Sequence, residues 1–484
     1  MKEDLINRTR VRFAPSPTGN LHIGGVRTAL FNYLFSLQNK GDFILRIDDT
    51  DKLRNKKEYE YSIISDLEWF DIKWDEFYRQ SERTAVYENY LDILKTKGLV
   101  YECFCTGEDI LKSKELAIKS KKPYVYNGKC YKLSSEERKI LRSELKENNL
   151  FPSIRLSVAD VLKHGGQEFN SVEFHDLVHG RLVFDPRLIG DFILRTESSR
   201  FTYNFVSIVD DSDMNISHVI RGEDHISNTP KQILILKALG KDVPVFAHIS
   251  LLHGKDGKIM SKRDLISNIE YYKKEGYLPG SLLNYLAITG NTFAGSGYKE
   301  IFADVSEMAA FFDITRAKSS GAIFNEDKLR FINEKWLNAI SVDALIDIIA
   351  EKFAGKSLTA RVKNEYPQEV FLEIINFLKN EFRTVYEITE ELKLFLDDYR
   401  VKLNDAEYNT ELKSIFADSF KNVDDFSENS IRNMINNTVS IYNVPAKECY
   451  ETLRLLITGK LSGPSILKII KFLGRKRVIE RLSV

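Results

Sequence analysis

The 484-residue sequence has few cysteines, no net charge and no long apolar run. Four cysteines in so long a chain exclude a disulfide framework as its main scaffold. Its 70 basic and 70 acidic residues cancel, so only local patches of charge can bind a polyanion. No stretch reaches the ~20 apolar residues that span a bilayer, and the N-terminus, MKEDLINRTR, lacks the apolar segment of a signal peptide. We therefore expect a cytoplasmic protein that does not bind membranes.

The length of the chain and the order of its patterns indicate several domains. Residues 11–14 are strand-like, apolar residues recur at helical spacing from Val26 onward, and residues 43–48 form a second strand-like run. A strand, a glycine-containing turn, a helix and a strand make a βαβ unit, whose parallel sheet has its ligand site at the carboxyl ends of the strands. Strand-like runs return at residues 217–222 and 243–252, where we expect the sheet to resume.

Two further regions differ from this pattern. From about residue 101 to 197 the chain changes to short apolar segments, charged helical stretches and glycine turns, as expected of an inserted subdomain. Beyond about residue 324 the pattern is almost wholly helical. The sequence therefore predicts an α/β fold with an insertion, followed by a separate helical domain.

Two motifs indicate a phosphate site. FAPSPTGNLHIGGVRTALFNYLF, residues 13–35, places prolines, glycines and His22 directly before a helix start, so a rigid loop would bring an imidazole and bare amides to a helix N-terminus. DGKIMSKRD, residues 256–264, is a basic loop that contains Lys262. Together the two motifs can clamp a triphosphate from two sides. Taken singly, the first motif is more often an ordinary turn than a catalytic loop, and the second is more often a solvated charged loop.

The segments PSPTGNLHIGG and IMSKR are similar to the two signature motifs of class I aminoacyl-tRNA synthetases. Within that class, RFAPSPTG, RIDDTD and VIRGEDH resemble the glutamyl-tRNA synthetase family, whose bacterial members match over essentially the full chain. The resemblance implies a Rossmann-like class I synthetase catalytic domain with an inserted connective subdomain, followed by an all-helical anticodon-binding region. It also implies a reaction in which glutamate and ATP, with Mg²⁺, form glutamyl adenylate and pyrophosphate. The glutamyl group then passes to the 3′-terminal adenosine of tRNA(Glu).

The resemblance also divides the chain. It implies, in order, the first half of the catalytic domain at 1–102, an inserted acceptor-binding subdomain with a zinc site at 103–197, the second half of the catalytic domain at 198–252, a signature-loop and stem-contact region at 253–323, and the helical anticodon-binding region at 324–484. The usual member of the family is a monomer. Some members also charge tRNA(Gln), and one sequence leaves that alternative open.

A glutamate substrate has two carboxylates and one ammonium group, so a selective pocket needs guanidinium groups and one acidic group. Matching the family motifs residue by residue, the expected glutamate-binding set is Arg12, Ala14, Ser16, Asp48, Tyr203 and Arg221. Asp48 departs from the pattern, because the family usually has glutamate there. Aspartate is one methylene shorter, and loss of a direct charged hydrogen bond costs roughly 1.5 to 3 kcal/mol. Outside the motifs, the arginines would be read as surface ion pairs and the tyrosine as a core aromatic.

The same matching assigns the nucleotide site. His22 and Lys262 are the expected catalytic residues, and the ATP-binding set is His22, Gly24, Gly25, Leu252 and Lys262. Catalysis of this kind positions the reactants and stabilises phosphate charge, so no protein nucleophile is needed. Gly25 stands where the class signature often has a second histidine. More of the phosphate binding would therefore fall to backbone amides and to Lys262.

Three of the four cysteines lie close together in the sequence. Cys103, Cys105 and Cys130 can supply three soft ligands of a tetrahedral zinc ion. No histidine follows Cys130, but Tyr126 stands four residues before it, and a Tyr-x-x-x-Cys pair binds zinc in relatives. The expected metal ligands are therefore these three cysteines and Tyr126, in a structural site. The alternative is three buried thiols and a packed tyrosine.

Basic residues cluster at the C-terminus, in KIIKFLGRKRVIERL, and they can contact tRNA phosphates or form a solvated helix face. They are Lys468, Lys471, Arg475, Lys476, Arg477 and Arg481.

Three rival functions are less consistent with this sequence. The glutaminyl-tRNA synthetases typically have Pro-Glu-Pro-Asn-Gly in the first motif and a β-barrel anticodon region, and relatives that glutamylate a modified tRNA base lack the C-terminal domain. A non-catalytic tRNA-binding protein would not need His22 and Lys262.

Overall fold

A computed structural model describes residues 8–51, 54–147, 150–164, 171–260, 265–293, 299–352, 355–401, 409–423 and 425–483. The chain divides into two compact units. The first contains Met1–Tyr271 and Leu282–Glu326, and the second contains Tyr272–Ser281 and Asp327–Val484. None of the helices in these described ranges has the length and apolar character that a membrane span requires.

The first unit begins with the predicted βαβ arrangement. Strand β1 is Arg10–Phe13, helix α1 is Ile23–Gln38, strand β2 is Asp42–Ile47, and strand β3 is Glu76–Arg79. In the described part of the chain these strands form a sheet in the order β1-β2-β3, with both pairs parallel. The expectation that the glycines precede the helix was wrong, because α1 already begins at Ile23. Gly24 and Gly25 therefore lie in its first turn.

A second sheet resumes where the sequence predicted it. Strand β9 is His218–Gly222 and strand β10 is Val245–Ile249, and they pair in parallel. The predicted run at 243–252 is interrupted after Ile249, and a short strand β11, Leu252–His253, pairs with β12, Ala322–Ile323. The Ser217 N–H donates to the Arg10 carbonyl at 3.0 Å, so β9 starts beside β1. The carboxyl ends of β1, β9 and β10 consequently lie near one another.

Strands from the region predicted as an insertion join two different sheets. Strand β4, Val100–Cys103, forms an antiparallel sheet with β5, Ser153–Leu156, and β8, Phe192–Arg195. In contrast, β6, Val172–Asp176, and β7, Gly180–Phe184, complete the second sheet in the order β7-β6-β10-β9. The remaining helices of this unit are α2 (Lys57–Trp69), α3 (Thr84–Thr96), α4 (Gly107–Lys119), α5 (Ser135–Glu147), α6 (Val158–His164), α7 (Pro186–Ile189), α8 (Tyr203–Asp213), α9 (Thr229–Leu239), α10 (Ile269–Lys274), α11 (Pro279–Ile288) and α12 (Val305–Phe311), of which α10 and α11 extend into the second unit.

The second unit is helical, and its described residues contain no strand. Its helices are α13 (Glu326–Ala339), α14 (Val342–Lys352), α15 (Gly355–Glu365), α16 (Gln368–Glu381), α17 (Val385–Leu392), α18 (Thr410–Lys421), α19 (Glu428–Tyr442), α20 (Ala446–Thr458) and α21 (Ile466–Ser483). Apolar residues at helical spacing, such as Ile374, Ile375 and Leu378 on α16, are fully buried in a common core. The all-helical C-terminal region predicted from the sequence is confirmed.

Candidate active site

A cavity of about 250 Å³ opens at the carboxyl ends of β1, β9 and β10. This is the edge at which a parallel sheet is expected to bind its ligand. Eight of the predicted site residues line the cavity: Arg12, Ala14, His22, Gly24, Gly25, Tyr203, Arg221 and Leu252. Members of the predicted glutamate-binding set and of the predicted ATP-binding set therefore line the same cavity.

Arg221 is a buried cation with neutral hydrogen-bond partners. Its Nε donates to Nε2 of His248 at 3.2 Å, and its Nη2 donates to Thr229 Oγ1 and Gln232 Oε1, each at 2.8 Å. Its Nη1 is buried and has no hydrogen-bond partner among the described residues. Burial lowers the pKa of Arg221, and the nearby Tyr203 hydroxyl partly offsets that effect. An unpaired guanidinium nitrogen at a cavity is suited to an anionic ligand.

Arg12 lines the cavity from the strand beside Arg221. Its Nε donates to Asp211 Oδ1 at 3.1 Å, and its Nη1 donates to the Ile220 carbonyl at 3.3 Å. The same Asp211 oxygen accepts a bond from Arg46 Nη1 at 2.6 Å. Burial alone would raise the pKa of Asp211, but the two guanidinium groups hold it below its ordinary value. Asp211 is thus an ionised anchor that fixes Arg12 on the rim of the cavity.

His22 is the N-cap of α1, and its backbone is extended at φ −122° and ψ 161°. Its Nδ1 accepts a hydrogen bond from the Gly25 N–H at 3.2 Å, so the hydrogen of the neutral ring is on Nε2. The expectation of bare amides was therefore wrong for Gly25, whose amide the histidine uses. A Cβ at Gly24 would lie 3.1 Å from Cε1 and Nδ1 of His22, which is closer than most Cβ contacts, so a side chain there would press on the imidazole ring.

Two of the predicted residues that the structure describes do not line the cavity, and a third lies outside the described ranges. Ser16 is exposed on the loop after β1. Asp48 is buried and pairs with Arg46, whose Nε lies 2.7 Å from Asp48 Oδ1. Burial raises the pKa of Asp48 to about 6, against the opposing effect of the Arg46 charge. Lys262 lies outside the described residues.

Several cavity residues were not singled out from the sequence, namely Arg27, Ser207, Asp224, His225 and Ser250. Arg27 is fully buried, and its Nη2 has no hydrogen-bond partner in the described ranges of the chain. A detectable signal existed, since Arg27 lies between apolar residues on the buried side of an amphipathic helix. Burial lowers the pKa of His225 to about 4, with Arg221 adding to the effect, so this imidazole is neutral at pH 7.

A second cluster lies in the antiparallel sheet region and contains the three predicted thiol ligands. The sulfur atoms of Cys103, Cys105 and Cys130 all lie within 4.8 Å of one another. The Tyr126 hydroxyl is 3.6 Å from Cys103 Sγ and 3.3 Å from Cys105 Sγ. The thiols are close enough to bind one metal ion, and the phenol oxygen lies beside two of them.

The electrostatics of this cluster favour one thiolate, at Cys103, whereas burial and the neighbouring thiols raise the pKa of Cys105, Cys130 and Tyr126. The guanidinium carbon of Arg155 lies 3.9 Å from the centroid of the Tyr126 ring. A hydrogen bond from Cys130 and the charge of Arg155 lower the pKa of Cys103 to about 4, although burial opposes them. At least one thiolate is therefore present at neutral pH, and thiolates are the form that binds metals.

The C-terminal basic cluster is not uniformly available to phosphates. Arg481 is buried and donates from Nη1 to the Ile457 carbonyl at 3.0 Å. Arg477 pairs with Asp397 at 2.5 Å and stacks on Tyr366, with its guanidinium carbon 4.3 Å from the ring centroid. Burial lowers the pKa of Arg481 to about 10. The expectation that Arg481 contacts phosphates was wrong, because its side chain is buried among the helices of the second unit.

Comparison with known proteins places these features in a family. A model of the catalytic domain of class I tRNA synthetases (E and Q) matches residues 8–331, and an anticodon binding domain model matches residues 349–484. The glutamate–tRNA ligase of Natranaerobius thermophilus is 36% identical and that of Aquifex aeolicus 37% identical, each over 99% of this chain and 98% of its own length. A crystal structure of a glutamate tRNA ligase from Elizabethkingia meningosepticum in complex with its amino acid is similar with a TM-score of 0.81, at 29% identity over 99% of both chains. The chain therefore belongs to the glutamate–tRNA ligase family of class I tRNA synthetases.

Proposed function

We propose that this chain joins L-glutamate to tRNA(Glu) in an ATP-dependent reaction that proceeds through glutamyl adenylate. The observation that supports this function best is the position of Arg12 and Arg221 in the same cavity as His22 and the start of α1. Two guanidinium groups select a substrate with an extra carboxylate, and a helix N-terminus attracts phosphates. The cavity therefore brings an acidic amino acid and a nucleotide triphosphate together.

The chemistry of activation requires positioning rather than a protein nucleophile. A carboxylate oxygen of glutamate attacks the α-phosphorus of ATP in line, and pyrophosphate leaves with its electron pair. The Nε2–H of His22 donates to a phosphate oxygen, and Lys262 stabilises charge on the departing side. Mg²⁺ would enter with ATP and would supply further charge neutralisation. Arg12 and Arg221 hold the amino acid, while Ala14, Ser16 and Tyr203 belong to the proposed glutamate site and Gly24, Gly25 and Leu252 to the proposed ATP site.

The test is aminoacylation of two purified tRNAs. We expect glutamate, ATP and tRNA(Glu) to give glutamyl-tRNA, AMP and pyrophosphate. The same assay with tRNA(Gln) decides whether the enzyme is discriminating. Failure to charge either tRNA, together with retained tRNA binding, would favour a non-catalytic tRNA-binding protein.

Lys262→Ala tests the nucleotide half of the site. Loss of a preorganised donor at a charged phosphate costs roughly 2.7 to 4 kcal/mol, which corresponds to about 100- to 1,000-fold in rate. We expect single-turnover adenylate formation to fall by that factor, while the apparent affinity for glutamate changes little. Lys258→Ala, on the same basic loop, serves as the control and should be close to wild type. Unchanged activation in Lys262→Ala would remove this lysine from the mechanism.

The thiol cluster is proposed as a structural zinc site with Cys103, Cys105, Cys130 and Tyr126 as ligands. The donor set fits zinc, because thiolates are soft ligands and Arg155 compensates the negative charge that they bring. With all four positions filled by protein, the ion would hold β4 and the loop around Cys130 together. No catalytic step passes through it.

Tyr126→Phe tests the fourth ligand. This change keeps the ring under Arg155 but removes the hydroxyl, so we expect zinc affinity to fall by on the order of 10- to 100-fold in a chelator competition. Tyr124→Phe is the matched control, because the Tyr124 hydroxyl has no hydrogen-bond partner among the described residues. Wild-type affinity in Tyr126→Phe would exclude the phenol as a ligand. Active enzyme purified without added zinc should contain about one ion per chain, and a value near zero would exclude the site.

The remaining sequence-based expectations belong to the same proposal. Residues 103–197 would contact the acceptor end of the tRNA, residues 253–323 its stem, and residues 324–484 its anticodon, beside the two catalytic segments at 1–102 and 198–252. A monomer that works in the cytoplasm is the expected state. The match of an anticodon binding domain model to residues 349–484 supports the assignment of the helical region.

A further inference from the structure

A line of buried polar side chains extends behind Arg221, away from the cavity. Asp176 is the last residue of β6, and His248 is on β10; both are fully buried. Asp176 Oδ2 lies 2.6 Å from His248 Nδ1, and Arg221 Nε donates to His248 Nε2 at 3.2 Å. Asp176 Oδ1 also accepts the backbone N–H groups of Val178 and His179 at 2.9 and 3.0 Å. The carboxylate is thereby fixed at the centre of a hydrogen-bonded turn.

The direction of these hydrogen bonds determines the tautomer of His248. The Nε of an arginine is always a donor, so Nε2 of His248 must be the acceptor and its Nδ1–H must point at Asp176. Thr229 Oγ1 lies 3.0 Å from Nε2 and accepts from Arg221 Nη2 at 2.8 Å. The hydrogen bonds therefore run in one direction, from Arg221 to His248 and from His248 to Asp176. Nη1 of Arg221 has no hydrogen-bond partner in the described structure.

The surroundings keep the imidazole neutral. Burial lowers the pKa of His248 and the charge of Arg221 lowers it further, while Asp176 opposes them. The other titratable groups that face the ring are His179 and His225. A neutral ring accepts from Arg221, whereas a protonated ring would present a second donor and a like charge to the guanidinium.

We propose that Asp176 and His248 are positioning residues that hold Arg221 with its free Nη1–H directed at a carboxylate of the substrate glutamate. This role rests on the function proposed above. The sheet alone does not orient a guanidinium, since its Nη2 partners are side chains that can rotate. The hydrogen bonds that lead from Arg221 through His248 to Asp176 fix the plane of the guanidinium at Nε, its nitrogen nearest the strand. Asp176 and His248 therefore determine glutamate affinity without touching either substrate.

His248→Leu tests this role, because it keeps an apolar volume but removes both ring nitrogens. In a tRNA(Glu)-dependent pyrophosphate exchange assay we expect the KM for L-glutamate to rise by about tenfold or more, as for a lost hydrogen bond to a charged group. The KM for ATP should stay within about twofold of wild type. His218→Leu is the matched control, since His218 is on the neighbouring strand β9 but does not line the cavity. It should leave both constants unchanged.

Two further variants keep the test decisive if His248→Leu folds poorly. His248→Gln offers a carbonyl to Arg221 and an N–H to Asp176, so it should restore most of the glutamate affinity. Asp176→Asn must turn its NH₂ either to the backbone N–H groups or to Nδ1, and the second choice forces the wrong tautomer. It should therefore raise the KM for glutamate selectively as well.

The outcomes separate the two proposals. A glutamate KM within about twofold of wild type in both His248→Leu and Asp176→Asn, or an equal rise in the KM for ATP, would overturn the positioning role. So would a His248→Gln variant that binds glutamate no better than His248→Leu. A wild-type chain that does not glutamylate tRNA(Glu) would instead contradict the proposed function itself.

Discussion

Replacement of Arg221 by methionine should abolish efficient use of glutamate and should weaken the fold less than the loss of a buried ion pair does. Removal of one member of a buried, hydrogen-bonded charge pair costs about 2 to 5 kcal/mol, so we expect the KM for glutamate to rise by on the order of 30- to several-thousand-fold. The loss of stability should be smaller than that of a broken buried ion pair, because the three buried partners that lose this donor are neutral. Steady-state kinetics and thermal unfolding of the same preparations measure the two effects.

Arg10→Met is the matched control for this prediction. Arg10 is a buried arginine on the same strand as Arg12, but it pairs with Asp42 at 2.7 Å and Glu76 at 3.0 Å and does not line the cavity. Its loss removes one of two arginines from the buried Asp42 carboxylate, which keeps Arg8 at 2.8 Å, and takes the guanidinium from Glu76. Stability should therefore fall while the KM for glutamate stays unchanged. Arg221→Met should therefore act mainly on glutamate binding, whereas Arg10→Met should act on stability alone. If Arg221→Met bound glutamate normally, the carboxylate site would have to lie elsewhere in the cavity.

Local patterns in the sequence were sufficient to predict the βαβ unit and the thiol cluster. Residues 11–14 and 43–48 lie close in sequence, and their strands pair in parallel around α1. Cys103, Cys105 and Cys130 meet across a short connection. By contrast, strands β6 and β7 join the sheet of β10 rather than that of β5, although β5 is nearer to them in the sequence. No local pattern predicts which sheet a strand will join.

The candidate site was predictable to the extent that its residues belong to recognisable motifs. Arg12 and Arg221 could be assigned to the site from the sequence, but their hydrogen-bond partners could not. Asp211, for example, contacts Arg12 across 199 positions of sequence. The acidic residue chosen from the motif, Asp48, pairs instead with Arg46. Partner choice among buried charges depends on tertiary geometry, which residue type and spacing do not contain. The feature of the sequence that could have indicated these partners is the apolar run FVSIV, which is followed directly by Asp210 and Asp211.

Asp211→Asn should have the largest effect on stability among the site variants. Asp211 Oδ1 accepts from Arg12 Nε at 3.1 Å and from Arg46 Nη1 at 2.6 Å, and the carboxylate is 1% exposed. Loss of its charge leaves a buried guanidinium uncompensated at Arg12, so we expect the free energy of unfolding to fall by about 3 to 5 kcal/mol. Urea denaturation at pH 7 measures this change in the free energy of unfolding. The KM for glutamate should rise too, because Arg12 loses its anchor.

The matched comparison is Asp48→Asn, and pH distinguishes the two. The folded-state pKa of Asp211 is depressed, so its contribution is complete above its unfolded pKa and the Asp211→Asn penalty should be constant from pH 5 to pH 7. The folded-state pKa of Asp48 is raised to about 6, so ionisation of Asp48 costs wild-type stability as the pH rises through this window. Asparagine avoids that cost, and the Asp48→Asn penalty should therefore be small and should shrink between pH 5 and pH 7. Equal, pH-independent penalties in both variants would mean that Asp48 anchors the arginines as strongly as Asp211 does, and that the acidic residue expected from the motif has a structural role.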